Sequence, residues 1–223
     1  MQIADLTKKE LIDIKNEVNS FIESEFSKLS ELEKNHIRFV LKRVVFLKYM
    51  LRLFNGNYKY QALTSDIMYL LSSIKKGETR YYYFNLRSII EQSLRIINNI
   101  DSTNTLTNTD IMEKTKGLID NYKVSINLDI IKDEYTTSCH YVHGNKNASM
   151  ELAEIYQNCF EDKEIENLTQ KLNVLVKLLK ELFELILISQ NSLVDAAFHR
   201  RKSILKFLVG EKSYAKFEQF KSE

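Results

Sequence analysis

Asp133 to Asn145 reads DEYTTSCHYVHGN and holds two of the chain's four histidines, His140 and His143, beside Ser138 and Cys139. A serine near a histidine supplies the parts of a nucleophile and its base, and an imidazole alone can move a proton at neutral pH. Helical geometry keeps these two apart. On one helix Ile131, Tyr135, Ser138 and Val142 share a face, whereas His143, five residues on from Ser138, is turned by about 140°. Ser138 and His143 are therefore no nucleophile–base pair within a straight helix. No histidine–carboxylate spacing suits zinc, and Cys139 and Cys159 lack ligand spacing, so neither metal nor cofactor is expected. The plain account of His143 is a last-turn residue before Gly144, where the negative end of a helix favours an imidazolium.

Arg87, Glu91 and Arg95 recur every four residues, opposite Ile89, Ile90, Ser93, Ile96 and Ile97. Spacing alone favours an exposed ion ladder that contributes little stability. At the edge of a cleft, however, such an arginine would hold a phosphate or developing negative charge. From Lys34 to Ser65 there is no acidic residue, while Lys34, Arg38, Lys42, Arg43, Lys48, Arg52 and Lys59 are basic. Lys34, Arg38, Lys48 and Arg52 fall on one side of a helix. They form either a solvated face or a track for a phosphate backbone. Arg200, Arg201, Lys202 and Lys206 add a second basic run near the C-terminus. The run Tyr81-Tyr82-Tyr83-Phe84 covers most of a helix's circumference, so core packing claims at least one of these rings before any base can stack on it.

The elements that position these residues are helices. The 223 residues include no proline and five glycines, and strand-type alternation is hard to find. A net charge of +2 makes no case for nucleic acid by itself. Two cysteines suit a reducing cytoplasm, and the N-terminus lacks the pattern of a signal peptide. The apolar stretch Leu172 to Ile188 is interrupted by Lys177, Lys180, Glu181 and Glu184, on one stripe with Asn173, so it reads as a buried amphipathic helix with no membrane role.

Capping boxes at Thr7–Glu10 and Ser30–Glu33 open the first two helices, the second running to Asn55-Gly56. Further helices are expected over Tyr58–Lys75, Thr79–Asn99, Asp110–Tyr122 and Leu128–His143. A long one follows from about Asp162 to Phe198, central in the bundle or at a two-fold interface, and then helical segments at 200–209 and 211–221. The polar run DSTNTLTNTD, residues 101 to 110, is the expected mobile loop. Residues 1–223 thus read as one all-α domain with a C-terminal helical extension at about 200–223.

LRSIIEQSLRII on one helix, followed some fifty residues on by YTTSCHYVHGN at the end of another, resembles bacterial HEPN-like proteins. The resemblance covers roughly residues 80 to 150. It implies a helical bundle, a homodimer, and action on RNA in prokaryotic defence or toxin–antitoxin systems, often as a metal-independent endoribonuclease. The family's signature is an arginine followed four to six residues later by a histidine. His143 matches the histidine and Asn145 lies close by, but Thr136, Thr137 and Ser138 occupy the arginine's place. The resemblance therefore implies His143 as acid and base. Arg87, or Arg95 after it, is expected as the phosphate-side cation from another helix, with Glu91 orienting Arg87. The alternative is a non-catalytic helical module that binds a nucleotide or a partner protein encoded in the same operon.

If Lys34, Arg38, Lys48 and Arg52 contact phosphates, RNA affinity falls steeply with salt. Each charge removal then lowers the slope of log K against log salt by about one. Filter binding across a salt series checks this, and salt-independent binding would leave the solvated face standing.

Overall fold

The structure, a computed structural model, describes residues 3–53, 58–101, 104–142 and 165–220. Ten helices make up the described residues, with no strand among them. They are α1 (Ile3–Glu25), α2 (Glu31–Leu53), α3 (Tyr58–Lys76), α4 (Thr79–Ile97), α5 (Asn108–Tyr122) and α6 (Leu128–Val142), then α7 (Leu168–Ser189), α8 (Asn191–Ala197), α9 (Lys202–Val209) and α10 (Glu211–Phe220). None is long and apolar enough to cross a membrane.

Local signals set most of the boundaries. Ser30 and Glu33 exchange hydrogen bonds, Ser30 N to Glu33 Oε2 at 3.0 Å and Glu33 N to Ser30 Oγ at 3.4 Å, and so open α2. Gly77 closes α3 at φ 71°, a left-handed conformation that glycine adopts without strain. Glu78 N then bonds back to Ser73 O at 2.9 Å. That turn folds α3 and α4 into an antiparallel hairpin. Asn99 and Lys123, both left-handed, stop the chain after α4 and α5.

Two expectations fail for tertiary reasons. The Thr7–Glu10 box does not start a helix, because α1 already begins at Ile3. Glu10 instead accepts a hydrogen bond from Tyr49 Oη at 2.6 Å and pairs with Arg201 at 3.0 Å. The long helix expected to reach Phe198 breaks at Gln190, which separates α7 from α8. Gln190 is buried, and its Nε2 donates to Ile96 O at 2.9 Å and Asn99 Oδ1 at 3.1 Å. The break thereby gives Ile96 O, which already accepts from Asn99 N at 3.2 Å, a second donor and ties the end of α4 to the core.

Helix α7 lies at the centre, against α2, α4, α6 and α10. Its first half buries one stripe, Leu172, Leu175, Leu178 and Leu179, while every residue from Leu182 to Ile188 is buried. Phe46 of α2 packs on Phe183 at 5.7 Å and on Phe198 at 5.5 Å, which ties the break after α7 to the core. Glu184, expected on the polar stripe of α7, is buried beneath α10. It accepts from Ser213 Oγ at 2.9 Å and Lys216 Nζ at 2.6 Å. Nearby, the buried Arg43 sends its guanidinium to the carbonyls of Leu208 and Val209 at the end of α9. Burial pulls the Arg43 pKa down to about 10, with Glu184 opposing, so it is still a cation at neutral pH.

Replacing Arg43 by Ala strands two carbonyls and removes the cation that faces Glu184. It is expected to cost about 3 kcal/mol in urea unfolding. Gln190→Ala, which removes two hydrogen bonds between neutral groups, is expected to cost about 1–2 kcal/mol.

Candidate functional site

Helix α4 runs antiparallel to α6, and that pairing brings together the two segments quoted for the resemblance. Tyr83 stacks on Tyr141 with ring centroids 3.8 Å apart and planes within 12°. Further along α4, Glu91 Oε1 accepts from Arg87 Nε at 2.9 Å, Asn108 Nδ2 at 2.8 Å and Tyr135 Oη at 3.2 Å. Asn108 Nδ2 also donates to Tyr135 Oη at 2.7 Å, and the Arg87 guanidinium lies 5.7 Å from the centre of the Tyr135 ring.

Each position follows from local structure. Thr107 and Asp110 form a reciprocal capping box, which starts α5 at Asn108 and so presents that amide to α4. Tyr135 shares its face of α6 with the buried Ile131 and Ser138. Ser138 spends its hydroxyl on Glu134 O at 2.7 Å and offers nothing to a substrate. His140 is exposed.

Arg87 and Glu91 are thus half-buried in a cleft between helices, not an exposed ladder, with side chains 25% and 26% accessible. The hydrogen bond to Glu91 raises the Arg87 pKa, which fixes it as a cation. Burial raises the Tyr135 phenol, and the Glu91 charge adds to it against the Asn108 hydrogen bond. On the α3 side of the same helix, Asp66 accepts from Ser88 Oγ at 2.6 Å. Burial pushes the Asp66 pKa up. The Ser88 bond opposes that shift and the charge of Glu91 adds to it.

His143, with Gly144 and Asn145, lies outside the described residues. At the described end of α6 stands Arg80, whose Nη2 donates to Val142 O at 3.4 Å. Arg87 sits beside Tyr135, about two turns back from residue 143, and Arg95 lies two turns further along α4 than Arg87. The Arg95 guanidinium makes no hydrogen bond or ion pair with the described residues. Arg80 is a site residue that the sequence analysis lacks, and its signal is the spacing: Arg80, Arg87 and Glu91 fall at i, i+7 and i+11, one stripe facing α6. Asn108 gave no such signal, because only the packing of α5 on α4 brings it to Glu91.

The basic stripe of α2 faces α1. Lys34 pairs with Glu23 at 3.2 Å and Glu31 at 3.4 Å, and Lys48 pairs with Glu17 at 3.3 Å. Arg38 bonds Asn19 Oδ1 at 3.1 Å and also Asn35, while Arg52 lies over the Tyr49 ring at 5.3 Å. A phosphate backbone on this face would compete with the acids of α1. In the aromatic run, Tyr82 and Tyr83 are buried, and Tyr81 and Phe84 are exposed. Among the described residues no three His, Cys, Asp or Glu side chains gather as a metal site would need.

Family models, curated proteins and solved structures offer no match to this chain.

The pKa of Asp66 supplies a test of the cleft. A carboxyl whose pKa is raised on folding holds its proton more tightly when folded. Its contribution is therefore favourable at low pH and is lost as pH climbs from the unfolded value of about 3.9 through the raised folded value. Asp66→Asn keeps an acceptor for Ser88 without the charge. It is expected to be more stable than the parent at pH 7, by less than about 1 kcal/mol since water screens part of the group. Thermal melts at pH 7 and below pH 3.9 check this, the gain vanishing at the lower pH.

Proposed function

We propose that the chain is a HEPN-like protein of a prokaryotic defence or toxin-type system that acts on RNA as a metal-independent endoribonuclease, working as a homodimer. The observation that supports this most is the antiparallel apposition of α4 and α6. It aligns Arg80, Arg87 and Glu91 on the α6 face that leads into His143. In this reading the His143 imidazole moves the proton of the ribose 2′-hydroxyl or of the leaving oxygen. An arginine from α4 carries the charge that builds on the phosphorane, which is the work the family arginine would do from α6 itself.

Arg80, which donates to Val142 O at the end of α6, would take that role, and Arg87 stands about 10 Å back along α4. Glu91 would hold Arg87 in orientation, with Asn108 and Tyr135 fixing Glu91 in turn. One feature favours the second reading, a non-catalytic module that binds a partner protein from the same operon. Glu91 Oε1 has its full set of donors within the fold, as a structural tie between α4, α5 and α6 would.

Cleavage of a mixed-sequence RNA by the full chain, with a chelator present, separates the two. On the catalytic reading His143→Ala abolishes cleavage by roughly 10²-fold or more while the melting temperature stays nearly unchanged. Arg80→Ala or Arg87→Ala is expected to do nearly the same, since groups acting as one unit are not additive. No cleavage of any RNA by the parent chain, or cleavage that survives His143→Ala, leaves the binding module.

A further inference from the structure

At the opposite end of α4 a cleft of about 300 Å³ opens where the C-terminal ends of α4 and α7 meet the middle of α5. Its size is at the lower end for small-molecule sites. We propose that this cleft binds a mononucleotide, holding the base against Tyr122 and the phosphate at Lys114. Asn98 lies eighteen residues beyond Arg80, about 27 Å along the helix. The inference therefore does not rest on the ribonuclease reading.

Gly117 is the first indication. It sits in the interior of α5, where glycine costs roughly 1 kcal/mol relative to alanine. Neither of the usual reasons for a glycine applies. Its φ is not in the left-handed region, and a Cβ built there would meet nothing within 4 Å. The missing side chain opens the helix backbone to the cleft and lets a ligand approach closely.

The polar groups are the second. Asn98 commits its Nδ2 to Leu94 O at 2.9 Å and Thr115 Oγ1 at 2.8 Å, which fixes the amide and leaves Oδ1 as an acceptor. Asn99 is fixed in the reverse sense. Its Oδ1 accepts from Gln190, which leaves Nδ2 as a donor. Asn121, exposed at the rim, keeps its whole side-chain amide. Acceptor, donor and free amide around one apolar wall match the edge of a heterocyclic base.

The wall is the third. The Tyr122 ring is held edge-on by Phe220, centroids 5.7 Å apart at 83°, so it stands ready for stacking. Ser189, buried at its Oγ with no hydrogen-bond partner, forms part of the same wall. Among the described residues Lys114 is the one charged side chain lining the cleft, and it selects a ligand with an anionic end. A single lysine and the small volume together suit one phosphate.

Titrating the full chain with AMP, GMP, CMP and UMP, and with the matching nucleosides, tests the site by calorimetry and ligand-observed NMR. At least one monophosphate is expected to bind. Gly117→Leu fills the cleft, and leucine is the better helix former, so the variant keeps its circular dichroism and melting temperature while affinity falls at least about tenfold. Lys114→Gln is expected to weaken the monophosphate by about tenfold and to leave the nucleoside unchanged. The proposal is overturned if none of the four binds at millimolar concentration, or if Gly117→Leu binds as the parent does. Equal loss of nucleoside and monophosphate in Lys114→Gln would remove the phosphate from the assignment.

Discussion

Helix α7 is buried around its whole circumference from Leu182 to Ile188, apolar at every position but Glu184, and no water-facing position exists for such a segment. Each leucine, isoleucine or phenylalanine it buries contributes on the order of 1.5–3 kcal/mol, so the chain gains most by closing other helices around it. Helices α2, α4 and α6 cover its sides and α10 covers the remaining stripe. The antiparallel meeting of α4 and α6 follows from that enclosure. Both must lay an apolar face on α7, and their polar edges, with Arg87, Glu91 and Tyr135, are then forced together above it.

Enclosure on every side brings polar groups inward, and the buried charges Glu184 and Arg43 find partners that also fix geometry. Glu184 receives α10 through Ser213 and Lys216. Arg43 fastens the end of α9 through the carbonyls of Leu208 and Val209. Its guanidinium also lies 4.1 Å from the centre of the Phe39 ring, which supplies a face for a cation with little access to water. Groups of this kind add modest net stability when paired, yet a wrong docking of α9 or α10 would leave a buried charge alone. They select one arrangement among several equally greasy ones.

What could be read from the residues alone divides along the same line. Boundaries written in local chemistry are present where expected, as with the Ser30–Glu33 box, the Gly77 turn and the stop after Tyr122. Boundaries decided by distant partners were invisible. Gln190 is an ordinary helix residue, and only its reach to the end of α4 makes it a break. Glu10 completes a respectable capping box on paper, yet Tyr49 and Arg201 claim its carboxylate. The site divides likewise. The stripe with Arg87 and Glu91 was legible, but whether it faced water or a neighbouring helix depended on where α6 lies. Asn108 enters the cluster only through the fold of α5.

The Gln190 contact also bears on how the chain is made. Ile96 O accepts locally from Asn99 N at 3.2 Å, but its second donor, Gln190 Nε2, comes 94 residues downstream, so the packed end of α4 is completed only after most of the protein has left the ribosome. Up to that moment the nascent chain holds α2, α3 and α4 with the apolar faces meant for α7 uncovered. Emerging segments of that kind are prone to stick to one another, and they are the clients that chaperones hold. Synthesis of α7 fills the centre, and the glutamine that follows it adds the second donor at the end of α4.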